Sequence, residues 1–377
     1  MLERTQQYLL DVVEGRRNTR PAAVVKGLLT AISKLYYLVV QSRLFLFKSG
    51  LKRSHSLGVT VISIGNITLG GTGKTPVVER LARELRDGGR KVAILTRGYK
   101  RKTPFFKKLF GTGLADEPKV ISDGSRLLVN PMEAGDEPYM LAKNLDGVFV
   151  VVGKNRIKSG NYAIRKLGAD TIILDDGFQY MSLRRKYDIV LIDCTNPFGN
   201  SAVLPRGTLR EPLKNLDRAN YIMFTKSNGH FRELKEKVRQ FNDHAEIIET
   251  KHHPEYFEEL FTTFRKDLDY IRGRRVFVIS AIARPESFEQ TLRDLGANIE
   301  QHFRFLDHHR FTYEEVEEIF SRAKKQKIDA IITTEKDAVR LPIMDKYRIP
   351  IYFLRVTIQI LNGQKDFSEF VSSICYS

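Results

Sequence analysis

The sequence predicts an α/β protein with a doubly wound parallel sheet domain, a smaller second α/β domain and an N-terminal amphipathic helix. Short apolar runs alternate with helix-like segments from residue 59 onward. This alternation is typical of buried parallel strands covered by helices on both faces. A glycine-rich loop joins the first run to the first helix, and the apolar pattern breaks near residue 228 before it resumes.

The composition indicates a folded chain with an anionic partner. Of the 377 residues, 42 % are hydrophobic and 28 % are charged, and the formal net charge is +17 at pH 7. Such a charge predicts binding to nucleic acid, an anionic membrane or a phosphorylated substrate. The two cysteines, Cys194 and Cys375, stand far apart with no paired Cys or His spacing. We therefore expect a reducing compartment and neither a disulfide framework nor a zinc site.

The first predicted region, 1–55, contains a very apolar stretch from Val24 to Gly50, interrupted by four basic residues. Its longest uncharged run, 35–42, is too short to span a bilayer as a helix. At about 100° per residue, three lysines lie opposite a broad apolar face. The lysines are Lys26, Lys34 and Lys48, and the apolar residues are Leu28, Ile32, Leu35, Val39 and Leu46. This pattern is typical both of an interfacial membrane helix and of a helix docked on a core, and the segment alone favours the core helix.

Two αβ series define the predicted domains. In the first, 56–228, the apolar runs are 59–65, 91–98, 147–154, 170–177, 188–194 and 220–227. The chain then becomes polar before a second series, 229–360, with runs at 275–282, 329–336 and 350–360. A C-terminal tail, 361–377, follows.

The string GNITLGGTGKTPVVERL, from Gly65 to Leu81, predicts a phosphate-binding loop. Its end matches the consensus G-x-x-x-x-G-K-[ST] at three positions, and Thr68 replaces the first glycine. A predicted strand enters the loop and a predicted helix, 76–86, leaves it, as the mechanism requires. We therefore expect ATP to bind at the following residues: Thr68, Gly70, Gly71, Thr72, Gly73, Lys74, Thr75 and Pro76.

Each residue type in the loop has a physical role. The glycines let backbone N–H groups turn toward an anion, and the helix N-terminus adds partial positive charge. Lys74 is expected to reach the β and γ phosphates, and the Thr75 hydroxyl to bind Mg²⁺. Pro76 suits a first helical position.

Several nucleotide-binding classes remain open on the loop alone. ParA- and MinD-type ATPases have a lysine where this chain has Leu69, and a GTPase would carry N-K-x-D, to which FTKSNG is only an approximation. A monomeric kinase fits, and the alternative is a SIMIBI-type P-loop NTPase that acts as a nucleotide-dependent protein-interaction switch. A nucleic-acid-binding protein would need a helix-turn-helix, an RNP-like strand or a basic arm, and the sequence shows none.

The first predicted domain contains two pairs of adjacent acidic residues at the ends of predicted elements. Asp136 and Glu137 stand in GDEP before a helical stretch, while Asp175 and Asp176 directly follow an apolar strand. Acids at strand ends in such a domain predict metal binding and activation of a nucleophile. Asp193 has a similar place after the next run.

Eight strings in order resemble the tetraacyldisaccharide 4'-kinase family, the lipid A 4'-kinases of Gram-negative bacteria. They are GNITLGGTGKTP, LTRGYKRK, GDEP, LDDGFQY, LPRGTLREP, IARPESF, FLDHHRF and TTEKDAVRL, and they cover about Leu35 to Leu341. The family also lacks the first glycine of the loop, so Thr68 is no departure. Tyr180 does depart from the family pattern, because the family more often has His at this position, and we assign Tyr180 no role.

The resemblance implies a reaction and roles for residues. ATP phosphorylates the 4'-hydroxyl of tetraacyldisaccharide 1-phosphate, giving lipid IVA. Asp136 would be the base and His308 its orienting partner, so that the active site would be a cleft between the domains. We expect Mg²⁺ at Thr75 and Glu137, with Asp175 and Asp176 behind them or sharing the ion. The phosphates or the sugar would face Arg206, Arg210 and Glu211.

The resemblance also implies a location and partners. The enzyme would be a monomer bound peripherally or monotopically to the cytoplasmic face of the inner membrane, with an anionic acylated disaccharide lipid as substrate and no nucleic acid. A second basic cluster near the loop agrees with this, and Arg97 is expected to meet the 1-phosphate. The cluster consists of Arg97, Lys100, Arg101, Lys102, Lys107 and Lys108.

Overall fold

The computed structural model describes residues 11–13, 17, 19–98, 117–260, 262, 264–307, 309–342 and 349–376. Within them, thirteen strands form one hydrogen-bonded sheet. The strands are β1 Thr60–Asn66, β2 Val92–Thr96, β3 Lys119–Asp123, β4 Phe149–Val152, β5 Thr171–Asp175, β6 Tyr187–Asp193, β7 Tyr221–Thr225, β8 Glu246–Glu259, β9 Arg265–Lys266, β10 Arg275–Ser280, β11 Asn298–Arg304, β12 Ala330–Thr334 and β13 Ile351–Asn362.

Helices connect the strands and cover the sheet. They are α1 Arg20–Lys48, α2 Lys74–Asp87, α3 Pro131–Ala134, α4 Asp136–Asn144, α5 Arg156–Leu167, α6 Arg232–Arg239, α7 Pro285–Asp294, α8 Tyr313–Lys325, α9 Glu335–Ala338 and α10 Gln364–Cys375. Short 3₁₀ segments occupy Leu213–Arg218 and Leu268–Ile271.

The strand order is β11-β10-β12-β13-β8-β7-β6-β1-β5-β2-β4-β3, with β9 beside β8. Pairing is parallel throughout this path except at β13–β8 and at β4–β3, where it is antiparallel. Because β1 lies between β5 and β6 in the sheet, the loop after β1 opens at the carboxyl ends of its neighbours. This edge is where ligands bind in open α/β sheets.

In the N-terminal half, apolar side chains cover both faces of the sheet. Helices α2, α4 and α10 pack on one face, and α5 and α6 on the other. The strands can supply both cores because their residues are buried on alternate sides: Ile62 faces α2, whereas Val61 faces α5. The alternating pattern in the sequence therefore predicted these layers correctly, and the α/β fold class is confirmed.

Two long antiparallel strands, β8 and β13, connect the halves of the sheet. β8 pairs with β7 of the N-terminal half through 246–249, and with β13 through 249–259. β8 was not predicted, because its charged and polar residues do not form an apolar run. Pro254 also lies where the register with β13 shifts, as expected of a residue that cannot donate to the ladder. The boundary at 228 stays a prediction, and residues 364–375 of the predicted tail form α10.

The N-terminal helix lies outside the core. Ser33 and Tyr36 donate hydrogen bonds of 2.9 Å to the backbone oxygens of Val203 and Arg210. The predicted apolar face, in contrast, is exposed. Among the described helices, α1 alone is long and apolar enough to cross a membrane, and only 6 % of that window is buried. The interpretation of this segment as a core helix is therefore wrong.

Candidate active site

The loop between β1 and α2 has the backbone that anion binding needs. Gly70 and Gly73 have φ values of 110° and 75°, which residues with a side chain rarely adopt. Helix α2 begins at Lys74, two residues earlier than predicted, so Pro76 is its third residue. A proline is tolerated there because N–H groups of the first turn lack intrahelical partners. The loop and the helix N-terminus together suit a phosphate group.

Neighbouring strands hold the loop from behind. Asn66 Nδ2 donates to Thr72 Oγ1 at 3.0 Å, and Thr225 Oγ1 donates to the Thr72 carbonyl at 2.8 Å. Lys226 Nζ lies 3.3 Å from the carbonyl oxygen of Gly71. These contacts fix the loop against the ends of β1 and β7.

Lys74 and Arg210 converge on Asp176, directly after β5. Lys74 Nζ lies 3.5 Å from Asp176 Oδ1, and Arg210 Nη1 lies 2.8 Å from Oδ2. Burial raises the pKa of Asp176, but the two cations outweigh this effect and hold it below its ordinary value. The structure thus brings the phosphate loop, the DDG segment and Arg210 of the LPRGTLREP segment together.

Asp175 is the unusual carboxylate of the site. Burial, followed by the charge of Glu137, raises its pKa to about 6, while Lys74 acts in the opposite direction. Glu137 is the second residue of α4, and Asp175 is the last residue of β5. Carboxylates gathered at low dielectric favour binding of a cation.

The donor chemistry fits Mg²⁺. Thr75 offers a hydroxyl and Asp175 and Asp176 offer carboxylates, the oxygen ligands that Mg²⁺ prefers. No group of three or more His, Cys, Asp or Glu side chains among the described residues could enclose a metal ion. Mg²⁺ in phosphoryl-transfer sites needs only one or two carboxylates, because phosphates and waters complete its shell. The Asp193 carboxylate accepts hydrogen bonds from Thr195 and Lys226.

Asp136, the predicted base, contacts two arginines from the C-terminal half. Arg340 Nε lies 2.8 Å from Asp136 Oδ2, and Arg310 Nη2 lies 3.2 Å from Oδ1. Its predicted partner His308 lies outside the described residues, so that pairing stays a prediction. Next to Asp136, Glu137 pairs with Lys336 at 3.3 Å. The two halves of the chain therefore meet at the start of α4.

Two further predicted residues have other partners. Arg206 donates to the Val13 carbonyl at 3.1 Å, and buried Glu211 accepts bonds of 2.7 Å from Arg218 and Asn215. Of the LPRGTLREP residues, Arg210 is the one that reaches Asp176. A role in binding for Arg206 and Glu211 stays a prediction.

Sequence reasoning missed several residues around the site. Lys226 supports the loop from within FTKSNG, and the approximate likeness to N-K-x-D was the available signal. His252 lies behind Gly73 with its Nε2 buried, and a Cβ added to Gly73 would approach that atom to 2.9 Å. Burial lowers the pKa of His252 to about 4. Tyr180, left without a role, accepts a hydrogen bond from the Arg156 backbone at 3.1 Å.

The remaining basic cluster could be located only in part. Arg97 is exposed just after β2, within electrostatic reach of Arg156. Lys100, Arg101, Lys102, Lys107 and Lys108 lie outside the described residues. A contact of this cluster with the substrate stays a prediction.

Comparisons with known proteins show the family to which the chain belongs. The family model described as LpxK, tetraacyldisaccharide-1-P 4'-kinase, matches residues 25–376. A tetraacyldisaccharide 4'-kinase from Halothermothrix orenii is 34 % identical, over 99 % of this chain and 98 % of that protein. One from Syntrophus aciditrophicus is 37 % identical, over 94 % of each. A crystal structure described as "apo" form LpxK from Aquifex aeolicus in complex with ATP has a TM-score of 0.72 and 29 % identity, over 93 % of this chain and 100 % of that one. The chain therefore belongs to the tetraacyldisaccharide-1-P 4'-kinase family and is a kinase of lipid A biosynthesis.

Proposed function

We propose that the chain transfers the γ-phosphoryl group of ATP to the 4'-hydroxyl of tetraacyldisaccharide 1-phosphate at the sheet edge where β1 and β5 end. The observation that carries the proposal is the convergence of Lys74 and Arg210 on Asp176 beside the phosphate loop. Two cations at this point can neutralise the charge that develops on the transferring group.

The nucleotide phosphates would bind at the loop from Thr68 to Pro76. The chemistry that Mg²⁺ would supply here is positive charge that neutralises the phosphate oxygens. Thr75, Asp175 and Asp176 would hold it from the protein side. Glu137 is within electrostatic reach of Asp175 and would share the ion directly or through water.

Asp136 would act on the acceptor. A carboxylate oxygen takes the proton of the 4'-hydroxyl as that hydroxyl oxygen bonds to the γ-phosphorus and the bond to the β-phosphate bridging oxygen breaks. ADP leaves with the electron pair of that bond. His308 would orient Asp136 from the segment before α8.

Helix α1 would hold the site at the membrane. Its apolar face is exposed while another side, with Ser33 and Tyr36, docks on the segment that carries Arg210. An acylated sugar that stays in the bilayer could therefore approach the site along this helix. We propose attachment to the cytoplasmic face of the bacterial inner membrane, where ATP is present, and a monomeric enzyme.

The assay is thin-layer separation of products after incubation with labelled ATP, the disaccharide 1-phosphate lipid and detergent. Asp136→Ala should lose most of its kcat while its affinity for ATP stays near that of the unmodified chain. His308→Ala should also lose activity, but the double variant should lose much less than the product of the two losses, since paired residues act as a unit. Multiplicative losses would argue against the pair, and absence of labelled lipid with the unmodified chain would favour a nucleotide-dependent protein switch.

A further inference from the structure

Arg340 organises the contacts around Asp136. Its side chain is fully buried, with 0 % of its surface exposed. Nε lies 2.8 Å from Asp136 Oδ2, while Nη1 lies 3.0 Å from Asp337 Oδ1 and 3.2 Å from the Ala281 carbonyl oxygen. A planar guanidinium bonded on two sides in this way has one orientation.

Asp337 in turn has its own fixed partners. It is completely buried, and its Oδ2 accepts hydrogen bonds from the Ala281 backbone N–H at 3.0 Å and from Thr334 Oγ1 at 2.7 Å. Thr334 also caps α9 by accepting from the Asp337 backbone at 3.1 Å. The chain of contacts therefore runs from β10 and α9, through Asp337 and Arg340, to Asp136 at the start of α4.

Stability alone does not explain this arrangement well. Burial of two charges costs free energy that a well-packed apolar pair would avoid. This series of contacts ends at the Asp136 carboxylate, which is partly exposed and faces the acceptor in the proposed reaction. A rigid contact from Arg340 would be useful at Asp136, because a small misplacement of a reacting carboxylate lowers the reaction rate strongly.

We propose that Arg340 is a positioning residue for phosphoryl transfer, which holds the Asp136 carboxylate in the orientation that receives the acceptor hydroxyl. The inference rests on the proposed role of Asp136. Arg340 contacts Oδ2 and Arg310 contacts Oδ1, and each carboxylate oxygen has a second acceptor position. The hydroxyl thus meets a carboxylate whose rotation is restricted from both sides, and Arg340 itself transfers no proton.

The test compares steady-state kinetics of Arg340→Met and Arg340→Lys with those of Asp136→Asn. Arg340→Met should lower kcat by about 10²-fold and change the KM for ATP by less than about threefold, because the loop residues are untouched. Arg340→Lys should fall between Met and the unmodified chain, since an ammonium group keeps the charge but lacks the planar fork. Arg322→Met on the exposed side of α8, where Arg322 pairs with Glu318 and lies over the Phe303 ring far from Asp136 in sequence, is the matched control and should leave kcat unchanged.

A second variant guards against loss of folding. Arg340→Met leaves the buried Asp337 carboxylate without its cation, so Arg340→Met/Asp337→Asn removes both charges together. Folding is checked by binding of a fluorescent ATP analogue and by the melting temperature. The double variant should show the same loss of kcat, and if neither Met variant folds, Arg340→Lys should still lose at least about tenfold.

The outcomes separate the two proposals. The inference about Arg340 is overturned if a folded Arg340→Met variant, or Arg340→Lys, keeps kcat within about threefold of the unmodified chain. If Asp136→Asn is inactive in the same assay, the proposed role of Asp136 as base still stands. A change confined to the KM for ATP overturns the inference about Arg340 as well. Full activity of Asp136→Asn rejects the base itself, whatever the Arg340 variants show.

Discussion

The contact between Lys74 and Asp176 makes Lys74→Ala the most direct test of the phosphate loop at the residue scale. The change removes the cation that would neutralise the transferring phosphoryl group, and kcat/KM for ATP should fall by about 10²–10³-fold. The same lipid assay measures this loss. Lys158→Ala, on the exposed side of α5, should behave like the unmodified chain, and near-normal activity of Lys74→Ala would contradict the kinase role of the loop.

Asp175 gives a prediction for stability and pH. Its pKa of about 6 lies above the ordinary value of about 4, so between these pH values the folded chain holds a proton that the unfolded chain has lost. The free energy of unfolding should fall as pH rises through this window, by roughly 2–3 kcal/mol for this group. Asp175→Asn should therefore be more stable than the unmodified chain at pH 7.5 by about that amount, and nearly equal to it at pH 4.

Denaturant unfolding without nucleotide or Mg²⁺ measures this difference. Asn keeps an oxygen that can accept the hydrogen bond of Thr96, so the change tests charge rather than packing. The variant should nevertheless lose activity, because a metal ligand is lost. The same stability advantage at both pH values would contradict the assignment to Asp175.

The sequence could predict residues whose chemistry is local. Lys74, Asp175 and Asp176 follow strands in a recognisable order, and that order alone implies that they meet. Arg340 and Arg310 could not be found in this way, because a basic residue in a polar helix or loop has the same local pattern whether it faces solvent or a distant carboxylate. Only the pairing of β13 with β8 brings their half of the chain to Asp136.

Helix α1 can be tested at the element scale by reversing its charge. Lys26, Lys34 and Lys48 would meet anionic headgroups, and each contributes about 1 kcal/mol near such a surface. The triple change to Glu should release the protein from anionic vesicles in a sedimentation assay, and moderate salt should release the unmodified chain in part. Activity on detergent-dispersed substrate should fall less than activity on vesicles.

The matched control places three glutamates elsewhere on the surface. Lys158, Lys166 and Lys324 are exposed on α5 and α8, and their change to Glu alters net charge equally without touching α1. Vesicle binding should weaken much less in this control. If both triple variants bind equally, membrane contact lies elsewhere, most plausibly in the basic cluster that begins at Arg97.

Helices and strands were predicted well where burial left a clear pattern of apolar residues in the sequence. Strands β1, β2 and β4 to β7 were predicted, since residues buried on two faces form apolar runs, and α1 was visible from its lysine stripe. β8 was missed because charged residues interrupt its sequence and some of them, such as Glu249 and Glu258, are buried, so hydropathy carries little signal. The docking side of α1 was also unpredictable, since its contacts use Ser33 and Tyr36 rather than the apolar face.

For the whole molecule, the continuous sheet predicts cooperative unfolding. A buried network also crosses between the halves: Arg355 on β13 pairs with Glu79 on α2, and with Glu335 on α9 at 2.7 Å. The chain has no tryptophan, so Tyr187→Trp and Phe303→Trp would report separately on the N-terminal and C-terminal cores. Both should give the same denaturant midpoint, and two separated midpoints would show that the halves unfold independently.

Helix α10 has a consequence for how the protein is made. Phe367 and Phe370 close the core under α2, yet they leave the ribosome long after the phosphate loop. The nucleotide-binding half therefore cannot complete its core during early translation, whereas α1 presents its apolar face almost at once. With α1 attached to the membrane as proposed above, a nascent chain would reach the bilayer before it could bind ATP, so partly synthesised copies would occupy the bilayer surface without consuming nucleotide.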